Sequence, residues 1–271
     1  MDKILKLDDV MDASAFELKA ANLQLFRVVD DLKTVVNQRN KARQEMAGSH
    51  FDAMYLLALG ADFREGRNGL RLVRIGATAE ILAKAAGMSD DYCSEIRQAA
   101  PLYDIGMVAI PDALLHKAED LSDEEWKLWR SHTEIGARIM SSTFDTPLMK
   151  MAAEIALTHH ENFGGKGYPA GLTGQDIPLS GRIVALAEYF ETQTNALGRR
   201  PQAALPADTV LTSIQDLSGR RFDPELVGLF FANLPVITEA HAEIESKASS
   251  FHALVANSRP DMPISGTTEA P

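Results

Sequence analysis

Two adjacent imidazoles, a carboxylate and a glycine-punctuated turn stand together in His159-His160-Glu161-Asn162-Phe163-Gly164-Gly165-Lys166-Gly167-Tyr168-Pro169, and no other run constrains this chain as much. The run follows Met149 to Leu157, an apolar stretch whose composition predicts a helix delivering both histidines at its C-terminal end. A helix C-terminus leaves backbone carbonyls without intrahelical partners, so partial negative charge collects there and favours a cation. Imidazole is the commonest transition-metal ligand, and paired His with carboxylates suits Fe, Mn or Zn. Such a pattern is rarely assembled for packing alone.

The rest of the chain also reads as helix, so the expected fold class is all-α. Apolar residues at Leu18, Ala21, Leu25, Val28, Leu32 and Val35 follow a three-then-four spacing within 15–47. That spacing predicts an N-terminal helix that packs on its own domain or pairs as a short coiled-coil homodimer. A turn from Gly60 to Gly69 then leads into the core. Leu72, Ile75, Ala79, Leu82 and Ala83 give the apolar stripe of a helix stopped by Gly87, with Ser89 capping the next. Ser122 followed by Glu125 predicts a capping box at the start of the helix that leads to His132. Helices are also expected over 182–194, 208–217 and 223–232. After Ser246 the chain thins to Ser, Pro, Thr and Gly, which predicts a disordered tail. The boundaries expected are a helical extension at 1–60, the main domain at 61–246 and the tail at 247–271.

Charge narrows the function classes. A net charge of −11 argues against general nucleic-acid binding, which needs a basic footprint, but leaves room for a small anionic ligand in a local arginine pocket. No apolar run approaches the ~18 residues a membrane span needs. The start of the chain lacks a signal-peptide pattern, and a single cysteine, Cys93, fits a reducing cytoplasm. Cytoplasmic localisation is the expectation.

Beyond Pro169 the run continues Ala170-Gly171-Leu172-Thr173-Gly174-Gln175-Asp176-Ile177-Pro178-Leu179-Ser180-Gly181-Arg182-Ile183. Taken whole, it resembles the signature of the HD-GYP family, bacterial metal-dependent phosphodiesterases that degrade cyclic di-GMP. The resemblance covers roughly Arg64 to Pro235 and implies an HD-GYP-type helical bundle. It also implies metal ligands at Asp104, His132, His159 and His160, with Glu188 as a longer version of a family Asp. Three ligand positions are substituted: Arg67, Arg71 and Tyr103 stand where the family has Glu, His and His. Met107 replaces a family Lys, and the loop around Leu197 to Thr209 is longer than the family's. His50, His116, His241 and His252 lack matched partners and read as ordinary polar residues.

The resemblance therefore implies half of a metal cluster, holding one transition metal ion (Fe, Mn or Zn) or none. Arg67 and Arg71 are expected to occupy the missing metal's place by pairing with Asp104 or Glu188. Lys166, Arg199 and Arg200 are candidate phosphate contacts. The function expected is cyclic di-GMP signalling by ligand binding, or by docking a protein partner through the Gly-Tyr-Pro loop, with little or no phosphodiesterase activity. The alternative is a phosphohydrolase working with a reduced-metal site.

Overall fold

A computed structural model describes residues 24, 30–39, 41, 51–67, 69–117, 120–141, 146–195 and 204–257, with backbone alone for 248–257. The chain divides into two compact units, Met1–Asp52 and Ala53–Pro271. In the first, residues 24, 30–39 and 41 are helical, and Leu32 and Val35 of the expected stripe are exposed. Leu18, Ala21, Leu25 and Val28 lie outside the described residues.

The second unit opens with helical residues 53–64, here α1. It continues through α2 (Leu70–Ala85), α3 (Asp90–Ala99), two 3-10 turns (Ala100–Leu102 and Ile105–Ala109), α4 (Asp112–Leu115), α5 (Asp123–Arg130) and α6 (His132–Ser141). It closes with α7 (Pro147–Thr158), a 3-10 turn (Gly174–Asp176), α8 (Leu179–Thr194), α9 (Ala207–Asp216) and α10 (Pro224–Asn257). The described residues carry a single isolated bridge, Ser218 to Phe222, so the fold is all-α. No described helix is long and apolar enough to cross a membrane.

Capping residues set the helix starts. Ser122 and Glu125 form the reciprocal capping box on α5, Ser89 Oγ accepts from Tyr92 N, and Thr146 Oγ1 accepts from Met149 N. Central to the packing is α2, which lies against α3, α8 and α10, while α7 packs on α3, α6 and α8. Ile75, Leu82, Ile96, Leu102, Ile155, Ile183, Leu186 and Phe230 are fully buried between them. A polar tie runs through the same layer: Arg74 donates to Glu191 at 2.6 and 2.9 Å and to Glu245 at 2.8 Å, while Thr78 Oγ1 and His241 Nε2 lie 2.9 Å apart. His241 is thus a half-buried link between α2 and α10 rather than an ordinary polar residue, and desolvation lowers its pKa to about 4.

Three local expectations change. Residues 60–64 are helical rather than part of a turn, because Ala58 and Ala61 on α1 are buried in the core. The last helix does not stop near 232 but runs through Pro235 to Asn257. Proline removes one backbone donor, yet Phe230 and Ile237 are buried and Glu245 is bonded to Arg74, so packing holds the helix together. The backbone of 247–257 is therefore helical where a tail was expected, and 258–271 lie outside the described residues.

Candidate metal centre

Two tight turns bring the ligands together. Between the 3-10 turns, Asp104 is held against the start of α6 because Gly106 has no side chain: a Cβ there would meet the His132 carbonyl oxygen at 1.9 Å. Arg64 fixes the same segment from α1, donating to the carbonyls of Met107, Val108 and Ile110 at 3.2, 3.0 and 2.9 Å. α7 ends at His159, whose Nδ1 lies 3.0 Å from the Ile155 carbonyl and 3.1 Å from that of Ala156, so the ring caps orphan carbonyls of its own helix. His132 Nδ1 lies 2.7 Å from the Trp129 carbonyl in the same way.

A ring nitrogen facing a carbonyl carries the proton, which leaves the Nε2 lone pair of each neutral ring free. Both Nε2 atoms are buried and find no hydrogen-bond partner among the described residues, and they face Asp104 Oδ1 at 3.4 Å (His132) and 3.5 Å (His159). Imidazole lone pairs and a carboxylate oxygen converging on one point are donors of the kind that a transition-metal cation takes. Desolvation lowers the pKa of His132 and lowers that of His160 much further, so burial favours the neutral, ligating form of both rings. Desolvation pushes the Asp104 carboxyl up, but its contact with His159, the nearness of His132 and the Arg71 guanidinium hold it well below the usual carboxylate range. Ligand atoms of Asp104, His132, His159 and His160 all lie within 4.8 Å of one another. A transition metal with bonds of about 2.0–2.2 Å fits such a set after small side-chain adjustments.

Glu188 is not in that set. Its Oε1 accepts from Thr192 Oγ1 at 2.9 Å and its Oε2 lies 3.9 Å from Arg221. Lys166 is exposed on the loop with a positive φ of 68°, and Arg199 and Arg200, with most of the 197–209 loop, lie outside the described residues.

The other face of Asp104 belongs to an ion network. Arg71 reaches Asp104 Oδ2 at 3.3 Å and Asp62 Oδ1 at 2.5 Å, and its guanidinium lies 5.3 Å from the Tyr103 ring centroid. Tyr103 is fully buried, its hydroxyl has no partner among the described residues, and its ring meets His159 edge-on at 5.1 Å. Arg67, however, pairs with Glu65 at 3.1 Å and Asp62 at 3.9 Å rather than with Asp104 or Glu188. Two acidic residues that the sequence did not single out, Asp62 and Glu65, thus accompany the two arginines. Their only sequence signal was their closeness to Arg67 and Arg71, within a stretch that reads as a turn. Met107 points into an apolar cluster with Ala61, Ile110, Leu114, Leu115 and Leu121.

Desolvation pushes the Glu65 carboxyl up to about 7, against the pull of Arg67, and its Oε1 lacks a partner among the described residues. A carboxyl whose folded pKa lies above its unfolded value contributes fully below the unfolded pKa, and loses that contribution as pH rises through about 7. Glu65→Gln, which stays neutral, is therefore expected to stabilise the fold by roughly 1–3 kcal/mol at pH 8 and far less at pH 4.5. Urea denaturation at the two pH values checks this, and a Glu65→Gln protein less stable at pH 8 would refute it.

Glu161 shapes the loop. Its buried carboxylate accepts from the N–H groups of Ala170, Gly171 and Leu172 at 2.8, 3.1 and 3.0 Å. Gly167 lets the strand-like return pass its own start, where a Cβ would meet Asn162 N at 2.4 Å. Tyr168 is thereby stacked on His160, with ring centroids 4.7 Å apart.

The HD domain family matches residues 54–226. A cyclic di-GMP phosphodiesterase of Thermotoga maritima is 36% identical over 201 residues, covering 74% of this chain and 54% of that protein. A 3'3'-cGAMP-specific phosphodiesterase of Vibrio cholerae is 32% identical over 234 residues, covering 84% of this chain and 42% of its own length. Among solved structures, a cyclic GMP-AMP-specific phosphodiesterase of V. cholerae superposes with a TM-score of 0.53 at 18% identity, covering 72% of this chain and 53% of that one, a likeness of fold. The chain belongs to the HD-domain family, in its HD-GYP branch. It spans about half the length of the curated relatives it matches.

Proposed function

We propose that this domain is a degenerate HD-GYP-type signalling module that binds cyclic di-GMP over a mononuclear metal site and turns it over little or not at all. The observation that carries the reading is the Arg71 guanidinium on Asp104 Oδ2, pinned from behind by Asp62. The resemblance gives that carboxylate two metals to bridge; here one oxygen faces the imidazoles and the other faces a cation that cannot leave. Asp104, His132, His159 and His160 are the residues that would hold the remaining ion. When bound, such an ion supplies positive charge that polarises a phosphoryl oxygen and acidifies a water. Backbone carbonyls at Nδ1 orient His132 and His159 so that their Nε2 atoms face Asp104, while Tyr103, at the position that the resemblance gives to a further ligand, contributes a buried ring. The names of the relatives support the ligand class. Relay to a protein partner through the Gly-Tyr-Pro loop belongs to the same reading, and buried Cys93 fits a reducing cytoplasm.

Metal analysis of protein purified without chelator is expected to give at most one equivalent of Fe, Mn or Zn per chain. His160→Ala is expected to weaken binding by more than the ~10–100-fold of a change outside the ligand set. Two or more equivalents in the wild type would overturn the mononuclear reading. The second reading, a reduced-metal phosphohydrolase, draws on the two orphaned Nε2 atoms. Turnover of cyclic di-GMP with excess Mn or Fe(II), abolished by His159→Ala, would establish it in place of the first.

A further inference from the structure

Beside the imidazole cluster stand two arginines that neither the ligand set nor the ion network uses. Arg130, the last residue of α5, places its guanidinium 5.2 Å from the Tyr168 ring centroid and 5.7 Å from that of Trp126. Arg221, just before α10, sits 4.8 Å from the Tyr189 centroid and 5.4 Å from that of Phe222. Neither guanidinium donates a hydrogen bond to a described residue, and the nearest carboxylate oxygen to Arg221 is Glu188 Oε2 at a loose 3.9 Å. Elsewhere in the unit the inward-facing arginines are engaged: Arg64, Arg71, Arg74 and Arg182 all donate to carbonyls or carboxylates. Arg130 and Arg221 therefore stand beside aromatic rings with donors that no described residue hydrogen-bonds, and the planar guanidinium fork suits bidentate phosphate recognition.

The two flank one loop. Tyr168, stacked on His160, lies 5.2 Å from Arg130, and the Arg221 carbonyl accepts from Phe163 N of the same loop at 3.1 Å. Desolvation pushes the Tyr168 phenol up, with both guanidinium charges pulling the other way. Arg130 is exposed and the Arg221 side chain is 33% exposed, so both side chains reach solvent. Trp126, 41% exposed beyond Arg130, extends the row of aromatic faces outward. In a chain of net charge −11, such a local cationic pair concentrates anions near one opening.

We propose that Arg130 and Arg221 form a phosphate clamp over the Tyr168–His160 stack that takes the phosphate groups of a dinucleotide ligand. This deepens the cyclic-dinucleotide reading and rests on it for the identity of the ligand, though not for its phosphate chemistry. Guanidinium groups already resting against rings lose less freedom on binding, and the ion pair that a ligand would compete with is the loose 3.9 Å contact of Arg221 with Glu188. The clamp makes no use of Lys166, whose left-handed backbone lies on the exposed loop.

The test is equilibrium binding of cyclic di-GMP, linear 5'-pGpG and inorganic pyrophosphate to the wild type, to Arg130→Gln, to Arg221→Gln and to the double variant, with metal content measured in each. Each single change is expected to weaken phosphate-bearing probes about 10-fold and the double about 100-fold or more, as for charge-assisted hydrogen bonds, with metal content unchanged. The salt dependence of binding is expected to flatten in the double variant. Arg130→Lys keeps the charge without the fork and is expected to recover only part of the loss. Double-variant affinities equal to wild type for all three probes, including no binding by either protein, overturn the clamp. If the wild type prefers pyrophosphate to both dinucleotides and the double variant loses that binding, the clamp stands and the cyclic-dinucleotide reading falls.

Discussion

The Arg67→Glu, Arg71→His, Tyr103→His triple variant is expected to bind two metal equivalents where the wild type binds at most one, and to raise cyclic di-GMP hydrolysis at least ~100-fold. The three changes restore the ligand types that the resemblance implies, around an Asp104 whose second oxygen is then freed from Arg71. They also remove two cations from beside Asp62, Glu65 and Asp104. Without metal the variant carries a knot of buried carboxylates, so its folding becomes metal-dependent. Its melting temperature is therefore expected to rise on adding Mn or Fe(II), while the wild type moves much less. Met107→Lys is best left out: Met107 sits in the apolar cluster of Ala61, Ile110 and Leu114, and an ammonium there would be buried without a partner. Metal titration followed by melting and by chromatography of product checks both parts. A triple variant that folds, binds two metals and still leaves cyclic di-GMP intact would show that the lost ligands are not what limits turnover.

Arg71→Ala in the wild-type background is expected to lower stability by about 3–5 kcal/mol, the range for breaking a buried pair from one side. The guanidinium is nearly fully buried and bridges Asp62, which also caps Gly69 N at 2.8 Å, to Asp104. Its removal leaves two carboxylates facing each other's field with no compensating charge. Desolvation alone would lower the Arg71 pKa, but the surrounding groups Tyr103, Asp104, Asp62 and Glu65 raise it, so the side chain is a fixed cation at any working pH. Asp62→Asn added to Arg71→Ala is expected to return part of the loss, because the amide still accepts from Gly69 N without carrying charge. Urea unfolding of the two variants measures this. A loss under about 1 kcal/mol for Arg71→Ala, within the range of an exposed pair, would mean that Arg71 is not the internal cation of this site.

Much of the site was legible because its parts are local signals. The capping box at Ser122 and Glu125 fixed the start of α5, and that helix leads straight to His132. The apolar run before His159 fixed α7, and the glycines that follow marked the turn that Glu161 then organises. Asp104 was legible through the family resemblance of its flanking residues; that Gly106 is demanded by the close approach to the His132 carbonyl emerged only from the structure. Substitution of ligand types by Arg67, Arg71 and Tyr103 was equally plain in the sequence, together with the idea that a guanidinium takes over a metal's charge.

Which carboxylate each cation meets was decided only in three dimensions. Arg71 does reach Asp104, but Arg67, on the connection between α1 and α2, meets Glu65 and Asp62 instead. Glu188 and Glu191 lie on one helix, three residues apart. Glu191 is drawn to Arg74, 117 residues away, whereas Glu188 turns to Thr192 and Arg221 and leaves the ligand set. Helical periodicity and caps depend on neighbours in the chain, so the sequence by itself determined the all-α fold, while the set of one Asp and three His was legible through the family resemblance of its motifs. Ion pairing depends on which helices pack side by side and on how dry the space between them is, and α1, α2, α8 and α10 make those contacts only in the folded protein.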